Sequence, residues 1–215
     1  MQYPVIAIDG TAASGKSTFS KALALRLGYV YVNTGAMYRG VTWYLQHKET
    51  PLNPEAIAAE IDAAGVETSL VDGELAFKVG GLDPLPHVRE AKINEAVSIV
   101  AQVGPVRKLL VSEQQKLGAF GPVIMEGRDI GTVVFPETPY KFYIDADAEV
   151  RAQRRSAQGE VDSIKQRDAI DSTRKESPLT CAPDAFRLDS GRYSVEELVV
   201  IALKQLADKG LTVEG

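Results

Sequence analysis

Five short apolar runs punctuate the chain. Val5-Ile6-Ala7-Ile8 is unbroken and ends at Asp9-Gly10; similar runs recur at Tyr29–Val32, Val123–Met125 and Phe142–Ile144, with a weaker one at Ala185–Leu188. Apolar runs without polar alternation are the signature of strands buried on both faces of a parallel sheet. Between them the apolar period lengthens to that of helices. Ser194 and Glu197 have capping-box spacing, Val195, Leu198, Val199, Ala202, Leu203 and Leu206 then mark one face, and Gly210 is placed to stop the helix. Pro105 is placed to open another, with Val106, Leu109, Leu110 and Leu117 as its apolar positions. Strands alternating with helices predict an α/β fold around an open sheet.

One stretch breaks that rhythm. Residues 66–79 read as two alternating strands on either side of Asp72-Gly73, a strong short hairpin signal. A hairpin inside a strand–helix chain predicts an inserted lobe over about residues 36–100. No repeat, low-complexity tract or linker divides the 215 residues, so the expectation is one domain. Composition adds little, since 45% apolar and 25% charged residues are those of an ordinary globular protein. Charge says more: 24 Lys and Arg against 29 Asp and Glu give −5, which argues against a nucleic-acid coat but leaves room for a small basic pocket. The single cysteine, Cys181, has no internal partner and reads as a semi-buried small side chain. The start, MQYPVIAIDG, has no basic n-region, and no stretch reaches the roughly 18 apolar residues of a membrane span. The expectation is a cytoplasmic chain with no membrane partner.

The candidate chemistry begins where the first run ends. Gly10-Thr11-Ala12-Ala13-Ser14-Gly15-Lys16-Ser17 fits G-x-x-x-x-G-K-[ST], directly after a predicted strand and before the glycine-free stretch Ser17–Leu27, which reads as a helix. Glycines let backbone N–H groups face one concavity, and the helix N-terminus adds a fixed positive field. Lys16 can reach β- and γ-phosphates, and the Ser17 hydroxyl can ligand Mg²⁺. The loop alone does not separate kinases, GTPases and motor ATPases, although no N-K-x-D guanine reader is present.

A transferred phosphoryl group needs several cations around it. Seven of the twelve arginines fall between Arg151 and Arg192. Arg151, Arg154 and Arg155 are spaced to share one side of a helix, followed by a Gln158-Gly159 break, the pattern of a mobile cationic flap or of a solvated face. Arg167, Asp171 and Arg174 also share a helical face. Spacing leaves open whether they form a surface ion-pair ladder or present a carboxylate to hydroxyls and a guanidinium to phosphate. The run Val123-Ile124-Met125 ends in Glu126-Gly127-Arg128-Asp129, at the carboxyl end of a strand where open α/β sheets collect functional groups and where a carboxylate can hold a magnesium-bound water.

With these residues in view, the chain resembles the bacterial cytidylate kinases, within the P-loop nucleoside monophosphate kinases. The resemblance rests on the phosphate loop, on Thr34-Gly35-Ala36-Met37-Tyr38-Arg39, on Ser98 nine residues before Arg107, on the run from Glu126 to Pro136, and on Arg167-Asp168-x-x-Asp171-x-x-Arg174. Asn33 departs from the pattern, standing where an aspartate is frequent. The resemblance implies a five-stranded parallel sheet flanked by helices: a core of about 1–35, 101–150 and 176–215, an acceptor lobe of about 36–100 containing the antiparallel hairpin, and a short lid at about 151–165. It implies transfer of the γ-phosphate of ATP to CMP or dCMP with Mg²⁺, by a monomer. Gly10 to Ser17, with Thr18 and Arg154, would hold ATP. Thr34, Arg39, Ser98, Arg107, Arg128, Asp129, Arg167, Asp171 and Arg174 would hold CMP. Lys16, Arg128, Arg174, Arg151 and Arg155 would act on the transferred group, and Ser17 and, through water, Glu126 on the metal. Asp168 receives no contact. The competing readings are a P-loop kinase for another small acceptor, such as UMP, and a nucleotide-binding module without catalysis. Trp43 reads as lobe core, and His47 and His87 as surface or loop residues.

Overall fold

The five apolar runs become five strands of one parallel sheet in the computed structural model, which describes residues 2–71, 74–157, 164–174 and 177–212, with backbone alone at 164–167. In chain order the strands are β1 (Val5–Gly10), β2 (Val30–Asn33), β3 (Val66–Val71), β4 (Glu74–Val79), β5 (Val123–Gly127), β6 (Lys141–Asp145) and β7 (Phe186–Asp189). The helices are α1 (Lys16–Leu27), α2 (Thr34–His47), α3 (Pro54–Ala64), α4 (Ala91–Val100), α5 (Gly104–Leu117), α6 (Ala148–Ala157), α7 (Ile164–Thr173) and α8 (Val195–Asp208). The main sheet runs β2-β5-β1-β6-β7 with every pair parallel, while β3 and β4 form a separate antiparallel pair.

Both faces of the sheet are covered, which is why its strands read as unbroken apolar runs. Successive side chains of β1 point to opposite sides. Ile6 and Ile8 pack with Phe19 and Leu23 of α1 and Leu198, Ala202 and Leu206 of α8. Val5 and Ala7 pack with Leu117 of α5, Met125 and Val134. Helix α8 starts in a complete capping box: Ser194 Oγ accepts from Glu197 N (3.2 Å), and Ser194 N donates to Glu197 Oε2 (2.8 Å). Pro105 lies in the first turn of α5, as its position predicts.

A further core lies between α2, α3, β4, α4 and the first half of α5, where Met37, Leu45, Ile57, Phe77, Val100 and Leu110 are buried together. The hairpin pairs from Val66↔Val79 to Val71↔Glu74; its turn signal, Asp72-Gly73, lies outside the described residues, as does the Gln158-Gly159 break. Helix α2 sits hard against β4 at Gly40, where a Cβ would lie 2.6 Å from Phe77 Cε1 and 2.7 Å from Pro84 Cγ. Trp43 is half-buried against this core and lies flat between His47 and His87, with ring centroids 5.0 and 4.7 Å away. Cys181 is half-buried, as expected.

Candidate active site

The carboxyl end of β1 runs straight into the phosphate loop. A side chain at Gly10 would put its Cβ 1.9 Å from Ile144 O, so the strand-to-loop turn admits glycine alone; Gly15 has φ +83, a conformation that disfavours side chains. Ala13 takes a left-handed φ of 56 without being glycine, backbone strain of the kind found at functional loops. The N-cap of α1, which begins at Lys16, is Gly15, with no side chain to cap the first amides, so that helix end faces the loop's concavity. Lys16 is buried, and its Nζ donates back to Thr11 O (2.5 Å) and Ser14 Oγ (3.4 Å). Burial, with the nearby Arg128 charge, pushes its pKa down to about 7.

Strand β5 delivers the next groups. Asp9, at the end of β1, accepts from the backbone amides of Ile130 and Gly131, both at 2.7 Å, and so pins the π-helical turn Ile130–Val134 that follows Asp129. Burial raises its pKa to about 6 against the lowering effect of those two amides. Arg128 donates through Nη1 to Gly10 O (3.0 Å) and through Nε to Asp171 Oδ2 (2.7 Å). The other oxygen of Asp171 accepts from Arg174 Nη2, so one carboxylate joins two guanidinium groups. Asp171 is buried and Arg174 partly so, and the Arg174 pKa is pushed down to about 10 by burial and by the Arg107 and Arg128 charges. The ladder left open by spacing is therefore an interior pair beside the phosphate loop, with Arg174 one residue past the end of α7.

Beside these lies a second buried pair. Arg107, on α5, donates through Nη2 to Asp129 Oδ2 (2.5 Å) and through Nη1 to Ala101 O (3.1 Å), with its guanidinium 5.4 Å from the Tyr38 ring centre. Arg39 Nε donates to Asn94 Oδ1 (3.1 Å), tying α2 to α4. Thr34 is buried and its hydroxyl donates to Glu126 O (2.7 Å). Ser98 is half-exposed on α4, where its carbonyl accepts from Gln102.

Helices α6 and α7 close over the loop. Arg151 Nε donates to Ala146 O (2.9 Å), and its Nη1 to Ala12 O (3.3 Å) and to Asp168. Asp168 in turn accepts from Ala12 N at 3.0 Å. Arg154 grips Ser190 through its hydroxyl (2.9 Å) and carbonyl (2.6 Å), and Ser190 Oγ donates to Ser14 O (2.6 Å). Arg155 is buried on the same helix. Arg167 lies on α7, its side chain outside the described residues.

Several members of this constellation were not legible beforehand. Asp168, Ser190 and Asp145, which accepts from Thr11 Oγ1 at 2.6 Å, carry no signal that ties them to a loop more than 130 residues away. Asp9 did carry one, being a strand-end carboxylate like Glu126. Tyr31 is the other addition: its phenol donates to Glu126 Oε1 and accepts from Asn33 Nδ2 (3.3 Å). Burial and the adjoining carboxylate raise its pKa. Asn33 also caps α2, its Oδ1 accepting from Ala36 N at 3.1 Å. At the loop's edge the donor set is a hydroxyl, exposed at Ser17, and a strand-end carboxylate at Glu126. Hard oxygen donors of this kind, few in number, suit magnesium shared with phosphates.

This arrangement has known relatives. The sequence profile described as cytidylate kinase matches residues 6–208. A cytidylate kinase of Parabacteroides distasonis is 40% identical, with 95% of this chain and 97% of that protein covered. One of Clostridium botulinum is 42% identical over 90% and 93%. A bifunctional pantoate ligase/cytidylate kinase of Prochlorococcus marinus is 39% identical over 91% of this chain, which spans 43% of that longer protein. A shikimate kinase from Acinetobacter baumannii aligns over 98% of this chain at 13% identity and a TM-score of 0.49, too loose a likeness to carry an argument. With a profile match over nearly its whole length and relatives at this level of identity, the chain belongs to the cytidylate kinase family.

Proposed function

We propose that the protein transfers the γ-phosphate of ATP to CMP or dCMP, in pyrimidine nucleotide metabolism. The observation that carries this reading, beside family membership, is the bond from Arg128 to Gly10 O. It sets the Arg128–Asp171–Arg174 cluster directly against the phosphate loop, so that two phosphates could meet there. Loop amides, Thr18 and Lys16 hold the donor; Arg39 and Arg128 hold the acceptor phosphate, with Arg174 near the phosphates as well. Ser98, Arg107 and Asp129 read the cytosine edge, whose amino group calls for an acceptor such as a carboxylate, and Thr34 also lines the CMP site. Arg167 and Asp171 serve the pentose hydroxyls, and Arg151, Arg154 and Arg155 the donor side. The acceptor lobe is about 36–100 and the lid about 151–165.

The acceptor oxygen is already anionic, so no general base is needed; positioning and charge neutralisation carry the reaction. Anionic phosphates entering the loop favour the charged form of Lys16, offsetting the burial that lowers its pKa in the free protein. Ser17 and, through water, Glu126 would hold Mg²⁺, which when bound neutralises charge on the donor oxygens. Closure of the lid would exclude water and limit ATP hydrolysis. Among the described residues no helix is long and apolar enough to cross a membrane. We take the enzyme to be cytoplasmic and to act as a monomer on small molecules alone.

The test is ADP release with Mg-ATP and CMP, dCMP, UMP, AMP or GMP, each alone. Fast turnover with CMP and dCMP and little with AMP or GMP is expected. Turnover with a different acceptor would keep the kinase and overturn the cytosine reading; no acceptor-dependent turnover would overturn both.

A further inference from the structure

We propose that Tyr31 is a positioning residue for the metal of the transfer, a role additional to those of Ser17 and Glu126 and resting on the reading of those two, Glu126 through water, as the groups that hold magnesium. The phenol has one hydrogen to donate, and it goes to Glu126 Oε1. Its oxygen accepts from Asn33 Nδ2 at 3.3 Å. One atom therefore joins the residue that caps α2 to the carboxylate at the end of β5. The sheet explains how. Strand β2 lies beside β5 in the register Asn33↔Glu126, and Tyr31, two residues earlier on β2, reaches the same carboxylate.

Asn33 completes the device through the two ends of its amide. The oxygen caps α2 through Ala36 N, and the nitrogen donates to the phenol. A carboxylate at that position could make the first bond and not the second. With the phenol's acceptor side engaged by Asn33, its hydrogen is directed at Glu126. One oxygen of Glu126 is thereby committed, and the carboxylate is fixed in orientation before any ion arrives. Hydrogen bonds to a ligating carboxylate act in this way in metal sites, where losing the outer partner weakens metal affinity by about 10–100-fold.

Tyr31→Phe removes the hydroxyl and leaves the ring. The reading is the affinity of Mn²⁺, standing in for Mg²⁺, for the enzyme–ADP complex, measured by water-proton relaxation; ADP affinity in excess chelator is measured alongside by calorimetry. Tyr31→Phe should weaken Mn²⁺ binding about 10-fold and leave metal-free ADP binding within about twofold. In a Glu126→Gln background the same change should shift Mn²⁺ binding no further, because the carboxylate it orients is gone. Equal Mn²⁺ affinities for wild type and Tyr31→Phe would overturn the inference. So would a parallel loss of metal-free ADP binding, or an undiminished effect in the Glu126→Gln background, since both mark a merely structural role. If wild type itself binds Mn²⁺ no better with the enzyme than ADP does alone, the assignment of Ser17 and Glu126 fails first, and this inference with it.

Discussion

The pair Arg107–Asp129 makes a demanding test because it is read both as part of the fold and as the base reader. The two side chains are 3% and 7% exposed and lie 2.5 Å apart. Among the described residues Arg107 has one other hydrogen bond, to Ala101 O, and its Nε has no partner. Asp129→Ala therefore leaves a buried guanidinium with a single neutral acceptor. Stranding one member of a buried ion pair costs about 3–5 kcal/mol, a large share of the roughly 5–15 kcal/mol that holds a typical domain folded. Removing both charges, in Asp129→Ala with Arg107→Met, should recover more than half of that loss, because no uncompensated charge remains. Urea unfolding of wild type, both single variants and the double variant gives the coupling directly. Kinetically, Asp129→Ala should raise KM for CMP while ADP affinity stays within about twofold, since ADP binds at the loop. A single-variant loss below about 1 kcal/mol would refute the buried-pair reasoning, and so would a double variant as unstable as the two singles summed. A collapse of ADP affinity with CMP use intact would refute the base-reading role.

Two further outcomes follow from features of the fold. Burial raises the Asp9 pKa from 3.8 to about 6, so the folded chain binds that proton more tightly than the unfolded one. The resulting stabilisation is complete below pH 4 and is lost as pH rises through 6, a change of about 3 kcal/mol at most. In Asp9→Asn that component should vanish, so the stability difference from wild type should vary between pH 4 and 7; a constant difference across that range would disprove the shift. Gly40→Ala would force Phe77 and Pro84 aside, and should destabilise by about 1–3 kcal/mol, with a Tm lower by roughly 2–4 °C per kcal/mol. Unchanged Tm would mean that α2 and β4 are less closely packed than described.

Sheet and helices were legible because each obeys one local rule. Unbroken apolar runs mark strands covered on both sides, as Ile6 and Ile8 against one layer and Val5 and Ala7 against the other now show. The capping box at Ser194 and the hairpin around 72–73 are equally local signals. The phosphate loop was legible because it carries its chemistry within eight consecutive residues. Partners across the chain were not. Nothing in the spacing of Arg167, Asp171 and Arg174 says whether the ladder faces solvent, since burial depends on what α7 packs against. Asp168 meets Ala12 across 156 positions of sequence, a pairing created only when α7 comes down on the loop. Tyr31 looked like one more strand residue, because the side chain that gives it meaning comes from a neighbouring strand.

Four arginines of this site come with their counter-charges already in place: Asp171 between Arg128 and Arg174, Asp129 on Arg107, Asp168 on Arg151. An arriving phosphate does not fall into an unscreened positive well; it displaces or joins a carboxylate at a position fixed by the fold. Long-range steering of anions is correspondingly weak. The rate of capture should depend little on added salt, and simple anions such as inorganic phosphate, which lack the base and sugar contacts, should find little to hold them. An enzyme built this way tells its acceptor from the crowd of other cellular anions by fit at contact rather than by attraction from a distance.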